Sequence, residues 1–145
     1  MSDATIGYGS KLRRGNGDGP PETFTPIAEV VSVEPPDQEA DDVEVTNLDS
    51  PDGFKEYIAG MTEPGECSLE INFLPGNASH NATTGLLADK ASGEVKNWEL
   101  EFSDPGATKC RFSGYVKKFA ASTVSPKDPL RANVTLKLSG TIAWL

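Results

Sequence analysis

Val134-Thr135-Leu136-Lys137-Leu138-Ser139-Gly140-Thr141-Ile142-Ala143-Trp144 is the stretch that decides the fold. Val134, Leu136, Leu138, Gly140, Ile142 and Trp144 fall on one side of a period of two, with Thr135, Lys137, Ser139, Thr141 and Ala143 on the other. Side chains of an extended chain point alternately to opposite faces, so the pattern predicts a long β-strand with one apolar face. Left as an open edge, such a strand would recruit other chains. Some other surface is therefore expected to cover it, and joining the sheets of several subunits is one remedy.

The same pattern recurs upstream. Cys110, Phe112, Gly114 and Val116 alternate with Lys109, Arg111, Ser113, Tyr115 and Lys117, and the proline-bearing connection from Ser122 to Arg131 follows. From Val95, the residues Trp98, Leu100 and Phe102 oppose Asn97, Glu99 and Glu101 before the turn Asp104-Pro105-Gly106. Cys67, Leu69, Ile71 and Phe73 oppose Ser68, Glu70 and Asn72, and Pro75-Gly76 breaks that run. Phe24 and then Ile27 to Val33 carry strand-forming residues and stop at Pro35-Pro36. Only His80 to Lys90 reads as a helix, short, with Asn77 or Ser79 to cap its start and Gly93 its end. The expected fold is mainly β: an antiparallel sandwich or barrel with one short α-helix and a long inter-strand loop.

That loop is Glu34 to Glu66. It holds eleven acidic residues and one basic, Lys55, so it accounts for the whole formal charge of -9. Asp41, Asp42 and Glu44 supply charge, while Phe54, Tyr57, Ile58 and Met61 are apolar anchors that a free solvated segment does not need. The loop is expected to become ordered against a partner. Residues 1–22 read as a flexible, glycine-rich arm, and residues 23–145 as a single domain. In the arm Lys11, Arg13 and Arg14 are either solvated or find an acidic surface on a neighbour. Residues 107–145 carry seven basic groups and one acidic. An acidic middle and a basic end favour head-to-tail association of copies.

No catalytic, cofactor or metal site is legible. His80 is the single histidine and is expected to cap the helix or lie on the surface. Cys67 and Cys110 are expected as reduced, buried thiols, because no export signal precedes them. His80 with two cysteines falls short of a four-ligand zinc set, and the glycine pairs near the N-terminus follow no strand, so they make no phosphate loop. The acidic balance argues against gripping nucleic acid. No apolar run is long enough for a membrane anchor.

The order of words in the chain resembles the tail tube proteins of lambda-like, long, non-contractile-tailed bacteriophages. Val43-Glu44-Val45-Thr46-Asn47-Leu48-Asp49-Ser50-Pro51, Phe54-Lys55-Glu56-Tyr57-Ile58-Ala59-Gly60-Met61 and Pro64-Gly65-Glu66 are similar to their central loop. The alternating strand ending in Asn72-Phe73, the helix, the Trp98 to Phe102 strand and the last strand follow in the family's order. The resemblance implies no catalysis, and hexameric rings whose sheets join into an inner barrel. Rings would stack through Glu34 to Glu66 into a tube that DNA traverses without specific binding. It implies tail-tip, tape-measure and tail-terminator partners, assembly in the bacterial host cytoplasm and a place in the virion tail. Glu70, Glu99 and Glu101, on polar strand faces, are then candidates to line the bore and repel phosphate. A connector, completion or spike-associated subunit is the alternative reading.

Overall fold

The computed structural model describes Ala4, residues 7–17 and residues 21–145. Among the described residues the strands are β1 (Lys11–Gly15), β2 (Phe24–Pro26), β3 (Val30–Glu34), β4 (Glu39–Glu44), β5 (Tyr57–Glu63), β6 (Glu66–Asn72), β7 (Lys96–Glu101), β8 (Lys109–Ala121) and β9 (Arg131–Trp144). The one α-helix, α1, is Leu86–Ser92. Seven strands form one antiparallel sheet in the order β2-β1-β7-β8-β9-β6-β3, and β4 pairs with β5 in a separate hairpin. The mainly β, antiparallel architecture with one helix is as expected from the sequence.

β9 sits between β8 and β6, which explains how so apolar a strand is tolerated. Register puts Leu136 opposite Cys67 and Val116, and Val134 opposite Leu69 and Phe119. β7 adds Trp98 and Leu100 beside Phe112 and Cys110, and Leu12 of β1 lies opposite Leu100. All of these except the half-buried Phe119 are buried, and they form one continuous core. Each fully buried aliphatic or aromatic side chain contributes ~1.5–3 kcal/mol. The sheet bends over this face until β1 comes beside β3, and α1 packs against β8. Trp98 buries its polar handle by donating Nε1–H to the Gly114 carbonyl at 3.1 Å.

Three expectations change. Lys11 to Gly15 is not a loose arm but a strand paired with both β2 and β7. Glycines on either side hid a short run that the Trp98 strand needs as a neighbour. The helix is shorter than His80 to Lys90, because 77–85 coils into side-chain-capped turns. Asn77 Oδ1 accepts the Ser79 N–H, and Asn81 Oδ1 accepts the N–H groups of Thr83, Thr84 and Gly85. Such local bonds compete with helix. Gly93 does end it, in the left-handed region with φ 66 and its N–H on the Asp89 carbonyl.

His80 is the third. It neither caps nor lies on the surface but is fully buried. Its Nδ1 accepts the Leu74 N–H at 3.0 Å, and its Nε2–H donates to the Ala28 carbonyl at 2.7 Å. The ring thus staples the segment leading into β3 to the segment leaving β6.

Cys67 and Cys110 are free and buried, and burial pushes the Cys67 thiol up to about 12. Burial also raises the Cys110 thiol. Only the thiolate alkylates, so the folded chain at about pH 8 should resist iodoacetamide and react at both cysteines once unfolded in urea. Rapid labelling of the folded chain, read by mass, would contradict the buried assignment.

Candidate assembly interface

The β4–β5 hairpin is almost wholly exposed, at every residue of β4 and all but one of β5. Val43 lies opposite Ile58 and Glu44 opposite Tyr57, with a register shift between Ala40 and Asp42. Phe54 is 73% exposed, Met61 85% and Leu48 fully exposed, and Tyr57 and Ile58 are each more than half exposed. Asp41, Asp42 and Glu44 of β4 are exposed too, and among the described residues none has an ion-pair partner. The hairpin and its connection therefore carry all seven expected assembly residues of the 34–66 stretch, exposed and spread over both faces, since Tyr57 and Ile58 are neighbours in one strand. Leu48, Val43 and Val45 belong with them, and short apolar alternation through Val43 and Val45 was the signal for two of the three.

The segment expected as a loop is ordered in the single chain, and its own polar groups explain why. The Val45 N–H donates to the Glu56 carbonyl at 2.9 Å, and the Glu56 N–H donates to Thr46 Oγ1 at 2.9 Å. Asn47 Oδ1 accepts the Asp49 N–H at 2.8 Å, and Ser50 Oγ donates to Glu56 Oε2 at 2.8 Å. A short 3₁₀ turn, Pro51–Gly53, then delivers Phe54 outward.

The sheet has a second surface. On the face away from the core, register places Lys11, Arg13, Lys109, Arg111, Lys137 and Arg131 with Glu99, Glu101, Glu66 and Glu70. The carboxylates are not free. Arg13 spans Glu99 at 3.0 Å and Glu101 at 2.7 Å, and Arg111 Nε meets Glu99 Oε2 at 2.7 Å. Arg131 pairs with Glu70 at 3.0 Å and Lys117 with Glu66 at 2.6 Å. Glu99 is only 3% exposed, so the expectation of a solvated lining carboxylate does not hold for it. Arg111 reaches it while lying over the Phe24 ring, 5.1 Å from the centroid.

Arg13 and Arg14 are accounted for within the chain. Arg14 points to the other face and binds the buried Asp89 of α1 at 2.8 Å. Burial raises the Asp89 carboxyl despite the arginine. Lys11 is on the same strand, and among the described residues it has no ion-pair partner.

Among the described residues no group of His, Cys, Asp and Glu is placed to hold a metal, and no helix is long and apolar enough to cross a membrane.

Burial alone would raise the Glu99 carboxyl, but hydrogen bonds from Arg111 and Arg13 outweigh it and hold it below the usual range. A carboxyl lowered in the folded state adds stability above its unfolded value, about 4.3, and loses it as pH falls through the folded value. Urea melts between about pH 7 and pH 2.5 should therefore show Glu99→Gln destabilised at neutral pH, with a flatter acid limb than the parent. Parallel pH profiles would remove Glu99 from the acid response.

The lambda phage tail tube protein family model matches residues 12–145. No curated protein sequence matches the chain. A chain of the virion of a native gene transfer agent particle is similar at 16% identity and TM-score 0.75, over 98% of this chain and 99% of that one. The tail of an empty gene transfer agent particle, with C6 symmetry, matches at 19% identity and TM-score 0.70, over 98% and 99%. A chain from an extracellular contractile injection system, in its sheath/tube terminator, matches at 14% identity and TM-score 0.72, over 100% and 99%. These likenesses show a shared fold. With the family match over nearly the whole length, the chain belongs to the lambda phage tail tube protein family and is a self-assembling structural subunit of a tail tube.

Proposed function

We propose that this chain is the repeating unit of a hollow tube, in which hexameric rings stack through the β4–β5 hairpin and DNA passes along the bore. The observation that carries the stacking role is the exposure of Phe54, Tyr57, Ile58 and Met61 on a hairpin that stands apart from the seven-stranded sheet. Several large apolar side chains left exposed on one short element favour an interaction site. In the stack the hairpin's carboxylates Asp41, Asp42 and Glu44 meet a basic neighbour. Lys118 and Lys127 of the basic C-terminal region have no ion-pair partner among the described residues and suit that role in a second copy. The C6 symmetry of the similar gene transfer agent tail supports a six-membered ring.

The polar sheet face is the one that looks into the bore in this reading, since α1 and the core occupy the other. Glu70 and Glu101 stand there as halves of ion pairs rather than as a bare acidic wall. Lys11 and Lys109, beside Glu101 and without an ion-pair partner among the described residues, leave this face net basic, so passing duplex meets scattered, salt-screened cations rather than a repulsive wall. The subunit then works with tail-tip, tape-measure and tail-terminator proteins after assembly in the host cytoplasm, and it performs no catalysis.

Phe54→Ser and Ile58→Ser test the stacking role. Each should leave monomer stability within about 0.5 kcal/mol of the parent, because the side chains are exposed there. Each should weaken every ring–ring contact by ~1.5–3 kcal/mol, abolishing long hollow filaments in negative-stain images at the parental assembly concentration. Hydrogen exchange over 43–61 should slow on assembly of the parent. Parental filaments from both variants would refute hairpin stacking, and closed single rings from the parent would favour a connector.

A further inference from the structure

The hairpin joins the sheet through two short legs, 35–38 and 64–65. Both are stiffened by proline, Pro35-Pro36 on one and Pro64 on the other. The legs cross at Gly65. Its φ is 77, in the left-handed region, and a Cβ there would overlap the Asp37 carbonyl of the opposite leg. On its other side the Gly65 carbonyl accepts the Leu138 N–H of β9 at 3.2 Å. Flanking carboxylates add to the clamp, Glu66 on Lys117 at 2.6 Å and Glu63 on Lys137 at 3.7 Å. One residue without a side chain is thus held between the sheet and the returning leg.

We propose that Gly65 is a positioning residue for assembly: its backbone contact with Asp37 sets the angle at which the hairpin leaves the sheet, so the free subunit already presents Phe54 and Ile58 as a second copy receives them. This rests on the reading of the hairpin as the stacking element. The gain is kinetic and entropic, since a pre-aimed element need not be ordered at the moment of binding. The contact is also a lever. A shift of about 1 Å at the crossing grows several-fold along the seven residues of β5, each rising ~3.3 Å.

Gly65→Asn isolates the contact, because asparagine tolerates positive φ yet carries the Cβ. Gly93→Ala is the control. Gly93 has φ 66 with nothing near its Cβ position, so alanine there strains the backbone without touching the hairpin. Gly65→Asn should keep Cys67 and Cys110 inaccessible to alkylation and raise the critical concentration for tube growth by tenfold or more, by sedimentation. Gly93→Ala should melt earlier and still assemble at the parental concentration. Parental assembly by Gly65→Asn overturns the proposal, as does exposure of its thiols, which would assign Gly65 to the fold. If Phe54→Ser blocks tubes while Gly65→Asn does not, only the positioning role fails. If Phe54→Ser and Ile58→Ser both assemble normally, the stacking reading itself has failed.

Discussion

The pairing of β9 on both sides is the constraint from which the rest of the subunit follows. Its apolar face obliges β8 and β6 to present matching apolar faces, and Leu136 duly meets Cys67 and Val116 in register. That face then needs a lid, which the bend of the sheet and α1 supply. Because side chains alternate, burying one face forces the other outward as a continuous polar surface. A single periodicity therefore generates both the core and the ion-paired face.

Charge on that polar face illustrates where sequence reasoning stops. Glu99 and Glu101 alternate with apolar residues, so their face was legible, but their partners were not. Arg111 follows directly from cross-strand pairing of β7 with β8, whereas Arg13 lies 86 residues away on a strand disguised by glycines. Two arginines converging on one carboxylate turn a supposed repulsive group into a buried structural pair. Only Glu99 is buried, with Arg13 and Arg111 reaching it from more exposed positions, so losing the arginines costs more than losing the carboxylate.

The strands from Cys67 onward were legible because a strict period of two survives whatever packs around it. Nothing comparable marks His80, whose role rests on two backbone partners, at Ala28 and Leu74, brought together only by the fold. The hairpin lies between these cases. Its composition showed that something must cover Phe54 and Ile58, yet charge and proline concealed the pairing of β4 with β5. The order within it comes from Thr46, Asn47 and Ser50, whose side chains replace ladder bonds with local ones.

A two-stranded hairpin alone in water is marginal, and this one has no sheet behind it to bury Val43 against. Its local hydrogen bonds restrict the loop, its prolines stiffen the legs, and the crossing at Gly65 fixes their approach. None of these buries apolar surface, so they define a shape without making it strongly stable. Apolar burial is left to association, which is where a polymer needs it. A subunit that satisfied Phe54 and Met61 internally would gain stability and lose its reason to stack. Keeping the hairpin preformed but unburied lets each added ring contribute its apolar area to the contact between subunits rather than to folding.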